Sequence, residues 1–289
     1  MKALIDAILT GLVSGSLYAA MALGLTIVYG VVRIFNFAHG LMALMGGYFA
    51  WALLTNMGIG LVPAIILSCV VMYFFGLILY LATIKPLLRK PDWEMSTVIF
   101  TLGAGILIEN TLLQVFGPRF KSIPKFMSGR IKFGYFRMQK HDIILLVIIV
   151  IFFLIFIYFL KKSWFGQAMR AVAQDMDGAR IVGINLHRTF SHTFALAMAV
   201  TGFSGILLAT KLSVSPSIGW DWATKGFVII VLGGWGSVPG AFYAALILGI
   251  IEALTMLYIG TMWVFPIWTV IFLLVLLVRP QGLLGGRTD

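Results

Sequence analysis

Side chains able to act on a solute are sparse in this sequence and fall into three groups. Gly202-Phe203-Ser204-Gly205 has the GxSG form of an intramembrane serine nucleophile. Such a serine takes its base from a later helix, yet none of the four histidines, His39, His141, His187 and His192, follows Ser204. The motif therefore reads as small-residue packing. No HExxH, CxxC or phosphate-cradling GxxxxGK[ST] occurs, and the single cysteine, Cys69, forms no internal disulfide or cysteine-based metal cluster. The second group is a pair of acids, Glu109 and Glu252, inside otherwise apolar runs. A charge at the bilayer centre costs roughly 2.5–3.5 kcal/mol on insertion scales, so each acid either bonds a neighbouring helix or lines a polar path for a small solute. The third is Arg33-Ile34-Phe35-Asn36-Phe37-Ala38-His39-Gly40, a polar break between apolar runs, followed by Gly46-Gly47. An unwound helix at such a break exposes backbone groups to a translocating solute, which makes Asn36 and His39 further path candidates. The plain alternative is that Arg33 anchors at the interface and His39 is a satisfied loop histidine.

The elements that must hold these residues are membrane helices. The 289 residues are 61% hydrophobic and 11% charged, against roughly 25% charged in soluble domains, so most of the surface faces lipid. Crossing about 30 Å of hydrocarbon takes about 20 apolar residues. Segments of that kind lie near 7–32, 36–55, 61–82, 96–116, 142–160, 190–212, 238–258 and 263–278, and a shorter one near 226–236 ends in Gly233-Gly234-Trp235-Gly236. The expectation is an all-α, polytopic bundle of about 8–9 spans in a single domain over 1–289, with some spans broken or re-entrant. The first span is too long for a signal peptide and is expected to be retained.

Small residues recur every fourth position at Ala241, Ala245, Gly249 and Ala253 and at Ala197, Thr201, Gly205 and Ala209, with Gly11 and Gly15 extending the pattern to the first span. In lipid no hydrophobic force gathers helices, so such stripes serve close backbone packing. The formal charge is +11, but the cations sit in short segments between apolar runs, which excludes a nucleic-acid stripe. With the N-terminus outside and nine crossings, eleven Lys and Arg fall inside and ten outside, seven of them at 117–140. Charge alone leaves orientation open.

Residues 161–189 turn polar for nearly thirty residues, with a helix-compatible run over 167–182 between Gly166 and Gly183. By pattern this is either an idle loop or a docking element for a soluble partner.

Three regions in order along the chain are similar to the permease subunits, of the H type, of branched-chain amino acid ABC importers. They are Phe35-Asn36-Phe37-Ala38-His39-Gly40 with Gly46-Gly47-Tyr48; Gly166-x-Ala168-x-Arg170-Ala171 through Asp175 and Ala179 to Gly183-Ile184; and Val231-Leu232-Gly233-Gly234-x-Gly236-Ser237 with Gly240, leading to Glu252-Ala253. The resemblance implies a non-catalytic permease in the bacterial inner membrane that binds no cofactor itself. Its implied partners are a second related permease, two cytoplasmic ATPase subunits that bind the ATP, and an extracytoplasmic substrate-binding protein. It also places Gly166, Ala168, Arg170, Ala171, Asp175 and Gly183 in a cytoplasmic loop, 161–189, that couples to the ATPases, with 117–140 on the other face. One position departs: many relatives carry Glu after the His-Gly pair, where this chain has Leu41. Related permeases also carry urea, short amides or other amino acids. A stand-alone channel, a secondary transporter and a membrane-embedded hydrolase are the alternative readings.

Overall fold

A computed structural model describes residues 2–133, 136–279 and 281–284. Arg287, counted above among the inner charges, lies outside them. The helices are α1 (Lys2–Val32), α2 (His39–Asn56), α3 (Leu61–Leu79), which passes through a π-turn at Tyr80–Ile84 into the short α4 (Lys85–Leu87), then α5 (Trp93–Phe116) and α6 (Lys140–Lys162). Two short polar helices follow, α7 (Trp164–Gln174) and α8 (Met176–Ile181), and then α9 (Leu186–Lys211), α10 (Ile218–Gly233), α11 (Val238–Tyr258) and α12 (Val264–Val278). A small hairpin, β1 (Arg130–Phe133) and β2 (Phe136–Gln139), pairs antiparallel ahead of α6.

Among the described residues, seven helices are long and apolar enough to cross a membrane. The helices α2 and α10, of 18 and 16 residues, run between the same two ends. At one end Lys121 pairs with Val214 through both backbone hydrogen bonds, and the Lys121 ammonium lies 4.5 Å from the Trp51 ring centroid. At the other, Val32, Arg33, Leu88, Trp93, Arg180 and His187 share one cleft, and Gly30 meets Gly236. Nine helices therefore alternate between two faces, the bundle that the apolar runs predicted. The α10 helix is about 24 Å long at 1.5 Å per residue.

Small residues decide which helices form the centre. The window of α1 is 89% buried and that of α9 83%, against 11% for α12. The central pair is rich in Gly, Ala, Ser and Thr, whereas α6 and α12 carry the Ile, Leu and Phe that face lipid. The two stripes on α1 and α11 are one contact: a Cβ on Gly11 would stand 2.7 Å from the Gly249 carbonyl oxygen, and one on Gly15 2.7 Å from that of Ala245. Gly202 and Gly205 of α9 lie against the backbone of α2 at Gly46 and Ala43, and the Ser204 hydroxyl donates to the Thr201 carbonyl at 2.7 Å. The GxSG sequence is thus helix packing. Gly46 and Gly47 likewise stay inside a continuous α2 instead of unwinding it, because they are where α9 approaches. The break lies within the Arg33–Gly40 segment where the sequence suggested it, at residues 33–38, with Arg33 at φ +60°.

Candidate functional site

The polar side chains inside the bundle converge on α10. Its Lys225, which counting placed among the ten outer cations, lies within the helix and not in a loop. The Lys225 ammonium donates to both oxygens of Glu252 on α11, at 2.9 and 2.8 Å, and to the hydroxyl of Tyr18 on α1 at 2.8 Å. Tyr18 in turn donates to Glu252 at 3.0 Å. The pair is withdrawn from solvent, with side-chain exposures of 19% for Lys225 and 7% for Glu252. Two rings enclose the ammonium: its nitrogen is 4.4 Å from the Tyr18 ring centroid and 5.2 Å from that of Trp268 on α12. Desolvation makes a cation over an aromatic face more favourable than it is in water. Four helices thus supply one cluster, at a depth set by Tyr18 in α1, Lys225 about two turns into α10, and Glu252 near the end of α11.

This cluster forms a wall of a cavity of about 510 Å³ between α1, α10, α11 and α12. Polar groups from Thr10, Ser14, Lys211, Asp221 and Thr224 line it together with Trp222, Val228 and Val264. A concave space of this size with a few convergent polar groups on apolar walls suits a small solute. Glu109 is elsewhere. It is half-buried on α5 and accepts a 2.7 Å hydrogen bond from the Trp220 indole of α10. Both acids engage α10, but only Glu252 reaches the cavity.

Asn36 and His39 are completely buried. Asn36 builds the start of α2: its side-chain oxygen accepts from the Ala38 N–H at 3.1 Å, its carbonyl accepts from the His39 N–H at 3.3 Å, and its amide donates to the Met42 sulfur at 3.3 Å. A short side chain that bonds its own backbone two residues on is a turn-former. His39 Nε2 is 2.8 Å from the Met21 carbonyl of α1, and the ring abuts Thr201 of α9. His39 thus ties the start of α2 to α1 and α9, and Asn36 shapes the turn that leads into it.

The residues implied to couple to a partner shape the α7–α8 hairpin. Gly166 lets α7 fold back on α6, since a Cβ there would meet the Leu160 carbonyl oxygen at 2.6 Å. Ser163 caps α7 by accepting from the Gly166 N–H at 2.9 Å, and Asp175 caps α8 by accepting from the Asp177 N–H at 3.0 Å. Ala168 is buried, Ala171 half-buried, and Arg170 donates to the Lys161 carbonyl at 3.3 Å across the turn between α6 and α7. Gly183 has φ +86°, a conformation that lacks strain only without a Cβ, and it ends α8. At that end Ile181 and Val182 are 85% and 75% exposed. Sequence reading passed over both, because two apolar residues in a polar segment look like core.

The missing signal for Lys225 was similar: a lone cation beside an apolar run reads as a flank. Lys225 lies seven residues after the start of α10 and Glu252 six before the end of α11, a match that is visible only once the helix ends are known.

The chain is similar along its length to known transport proteins. A family model described as branched-chain amino acid transport system / permease component matches residues 7–279. The high-affinity branched-chain amino acid transport system permease protein BraD of Pseudomonas aeruginosa is 32% identical over 292 residues, 96% of this chain and 94% of that protein. LivH of Escherichia coli K12, described in the same terms, is 32% identical over 95% of this chain and 93% of its own length. A probable LivH permease of Methanocaldococcus jannaschii is 30% identical over 95% and 90%. With these nine helices among the described residues, a largely apolar-walled cavity between α1, α10, α11 and α12, and this likeness from one end to the other, the chain belongs to the permease components of branched-chain amino acid transport systems.

Proposed function

We propose that this protein is the membrane half-pore of an ATP-driven importer that carries branched-chain or other hydrophobic amino acids, and that it sits in a bacterial inner membrane. In this reading it assembles with a second related permease, two ATPase subunits in the cytoplasm and a substrate-binding protein outside. The observation that carries the proposal is the α7–α8 hairpin. It is held rigidly by its caps and by Gly183, yet it ends in two exposed apolar side chains at the face shared with Arg33, Arg180 and Arg188. A soluble partner has both a fixed lever and an anchor there, whereas an idle loop needs neither. The hairpin face is accordingly cytoplasmic and the 117–140 connection extracytoplasmic. ATP is bound by the partners and not by this chain.

The test replaces the anchor and leaves the lever. Ile181→Glu with Val182→Glu, both outside the packed bundle, is expected to leave the permease inserted at wild-type levels, to release the ATPase subunits from the membrane, and to lower uptake of L-leucine in proteoliposomes at least tenfold. That factor corresponds to about 1.4 kcal/mol of lost contact. Retention of the ATPases together with normal uptake would sink the coupling role. Uptake by the purified chain with no partners would favour a channel.

A further inference from the structure

Lys225, Glu252 and Tyr18 form a closed set in which the three hydrogen bonds from the ammonium all end on its two partners. A buried pair of this kind resists being opened from one side. A ligand carrying only a carboxylate, if it takes Lys225, leaves Glu252 buried without a counter-charge; a ligand carrying only an ammonium, if it takes Glu252, does the same to Lys225. A zwitterion is different. With its carboxylate on Lys225 and its ammonium on Glu252, it inserts between the two and leaves neither charge unpaired.

Two further observations point to such a guest. Trp268, on the cavity wall and 3% exposed, has a buried indole N–H without a hydrogen-bond partner. Its ring lies beside the Lys225 ammonium, so the wall that would receive a carboxylate holds a spare donor. Ser14, Asp221 and Thr224 add polar groups within a turn of the cluster, and the apolar part of the lining, from Trp222, Val228 and Val264, suits an uncharged, aliphatic substituent.

We propose that this cavity is a solute site in which the Lys225–Glu252 pair opens by exchange with a zwitterion. The carboxylate of the α-amino acid bonds Lys225 and the Trp268 N–H, its ammonium bonds Glu252, and its aliphatic side chain lies on Val228 and Val264. The pair closes again when the solute leaves, and the site selects by requiring both charges at once. The assignment rests on the importer reading above and adds to it where, and by which groups, the solute is held.

The experiment uses the assembled importer in lipid nanodiscs, with the binding protein left out, and radiolabelled L-leucine as the probe in a scintillation proximity assay. Saturable binding is expected, with L-leucinamide, which lacks the carboxylate, and 4-methylpentanoate, which lacks the ammonium, each competing at least about tenfold less well than unlabelled L-leucine. Lys225→Met should weaken binding at least about tenfold and Trp268→Phe about threefold. Because Lys225→Met leaves Glu252 unpaired, the double variant Lys225→Met with Glu252→Gln, which removes both charges, is measured beside it and is expected to lose binding while assembling normally. Equal competition by all three ligands, absence of saturable binding, or unchanged affinity in Trp268→Phe and the double variant overturns the site. Uptake with binding protein and ATP separates the two readings: wild-type uptake that these variants do not alter removes the cavity but keeps the importer, whereas no L-leucine uptake by the wild-type complex removes the importer reading itself.

Discussion

At residue scale, the Lys225–Glu252 pair shows how a charge is kept in a membrane bundle. Each partner cancels the other, Tyr18 supplies one hydrogen bond to the carboxylate and receives one from the ammonium, and two rings shield the cation. Removing one charge is far costlier than removing both, since a single deletion strands the other in a low dielectric. Lys225→Met is therefore expected to destabilise the protein by about 3–5 kcal/mol, and adding Glu252→Gln to recover most of that loss. Unfolding of the three proteins in mixed micelles, followed by tryptophan emission, measures the difference; equal stability of the single and double variants would show that the pair is not structurally coupled. Glu109 belongs to another class, as a half-buried carboxylate with a single neutral donor, the Trp220 indole. Its bond ties α5, a helix otherwise fastened mainly to α2, to α10.

At the scale of elements, the packing rule is backbone against backbone. The α1–α11 seam has no room for a side chain at Gly249, where a Cβ would stand 2.5 Å from the Gly11 carbonyl oxygen. Gly249→Leu should cost at least about 1–3 kcal/mol through overpacking, and it should distort the cavity wall to which Gly249 contributes. Ile247, on the outward face of the same helix at 45% exposed, is the control: Ile247→Ala is expected to stay within about 0.5 kcal/mol. Thermal unfolding of the detergent-solubilised proteins compares them, and a wild-type midpoint for Gly249→Leu would mean that the seam is not a close contact. The α7–α8 hairpin combines burial with local turns: α7 buries Ala168, Met169 and Val172 against the bundle, while caps and one left-handed glycine shape its solvated side.

For the whole molecule, the question is which face is inside. Lys and Arg are too evenly divided to decide it, and the location of Lys225 within α10 removes only one from the outer side. The hairpin decides it under the importer reading. In a Cys69→Ser background, a unique cysteine at Gln174, exposed at the end of α7, is expected to be protected from a membrane-impermeant thiol reagent in intact cells, and one at Ser128, exposed in the connection before β1, to be labelled. The reverse pattern would invert the topology and detach the hairpin from any cytoplasmic motor.

Much of this architecture is legible in the chain itself. Nine apolar runs, their approximate limits and the stripes of small residues follow from one-dimensional properties, because the bilayer imposes a fixed length and lipid rewards close backbone packing at helical period. The order of the histidines also told that none follows Ser204, and the apolar runs around Glu109 and Glu252 told that each bonds a neighbouring helix or lines a polar path. Which partners they have was not readable. Tyr18 and Lys225 are 207 residues apart, and Glu252 bonds both, so the cluster exists only once α1, α10, α11 and α12 are side by side. The same holds for Gly46 and Gly47, which read equally as a hinge or as a packing surface until α9 is laid against them, and for His39, whose partner carbonyl at Met21 belongs to another helix. Hydropathy and spacing are properties of a segment and survive in the string of letters. Pairing of charges, closure of a cavity and burial of a histidine are relations between segments far apart in the chain, and only the tertiary structure, where desolvation forces each polar group to find a particular neighbour, decides them.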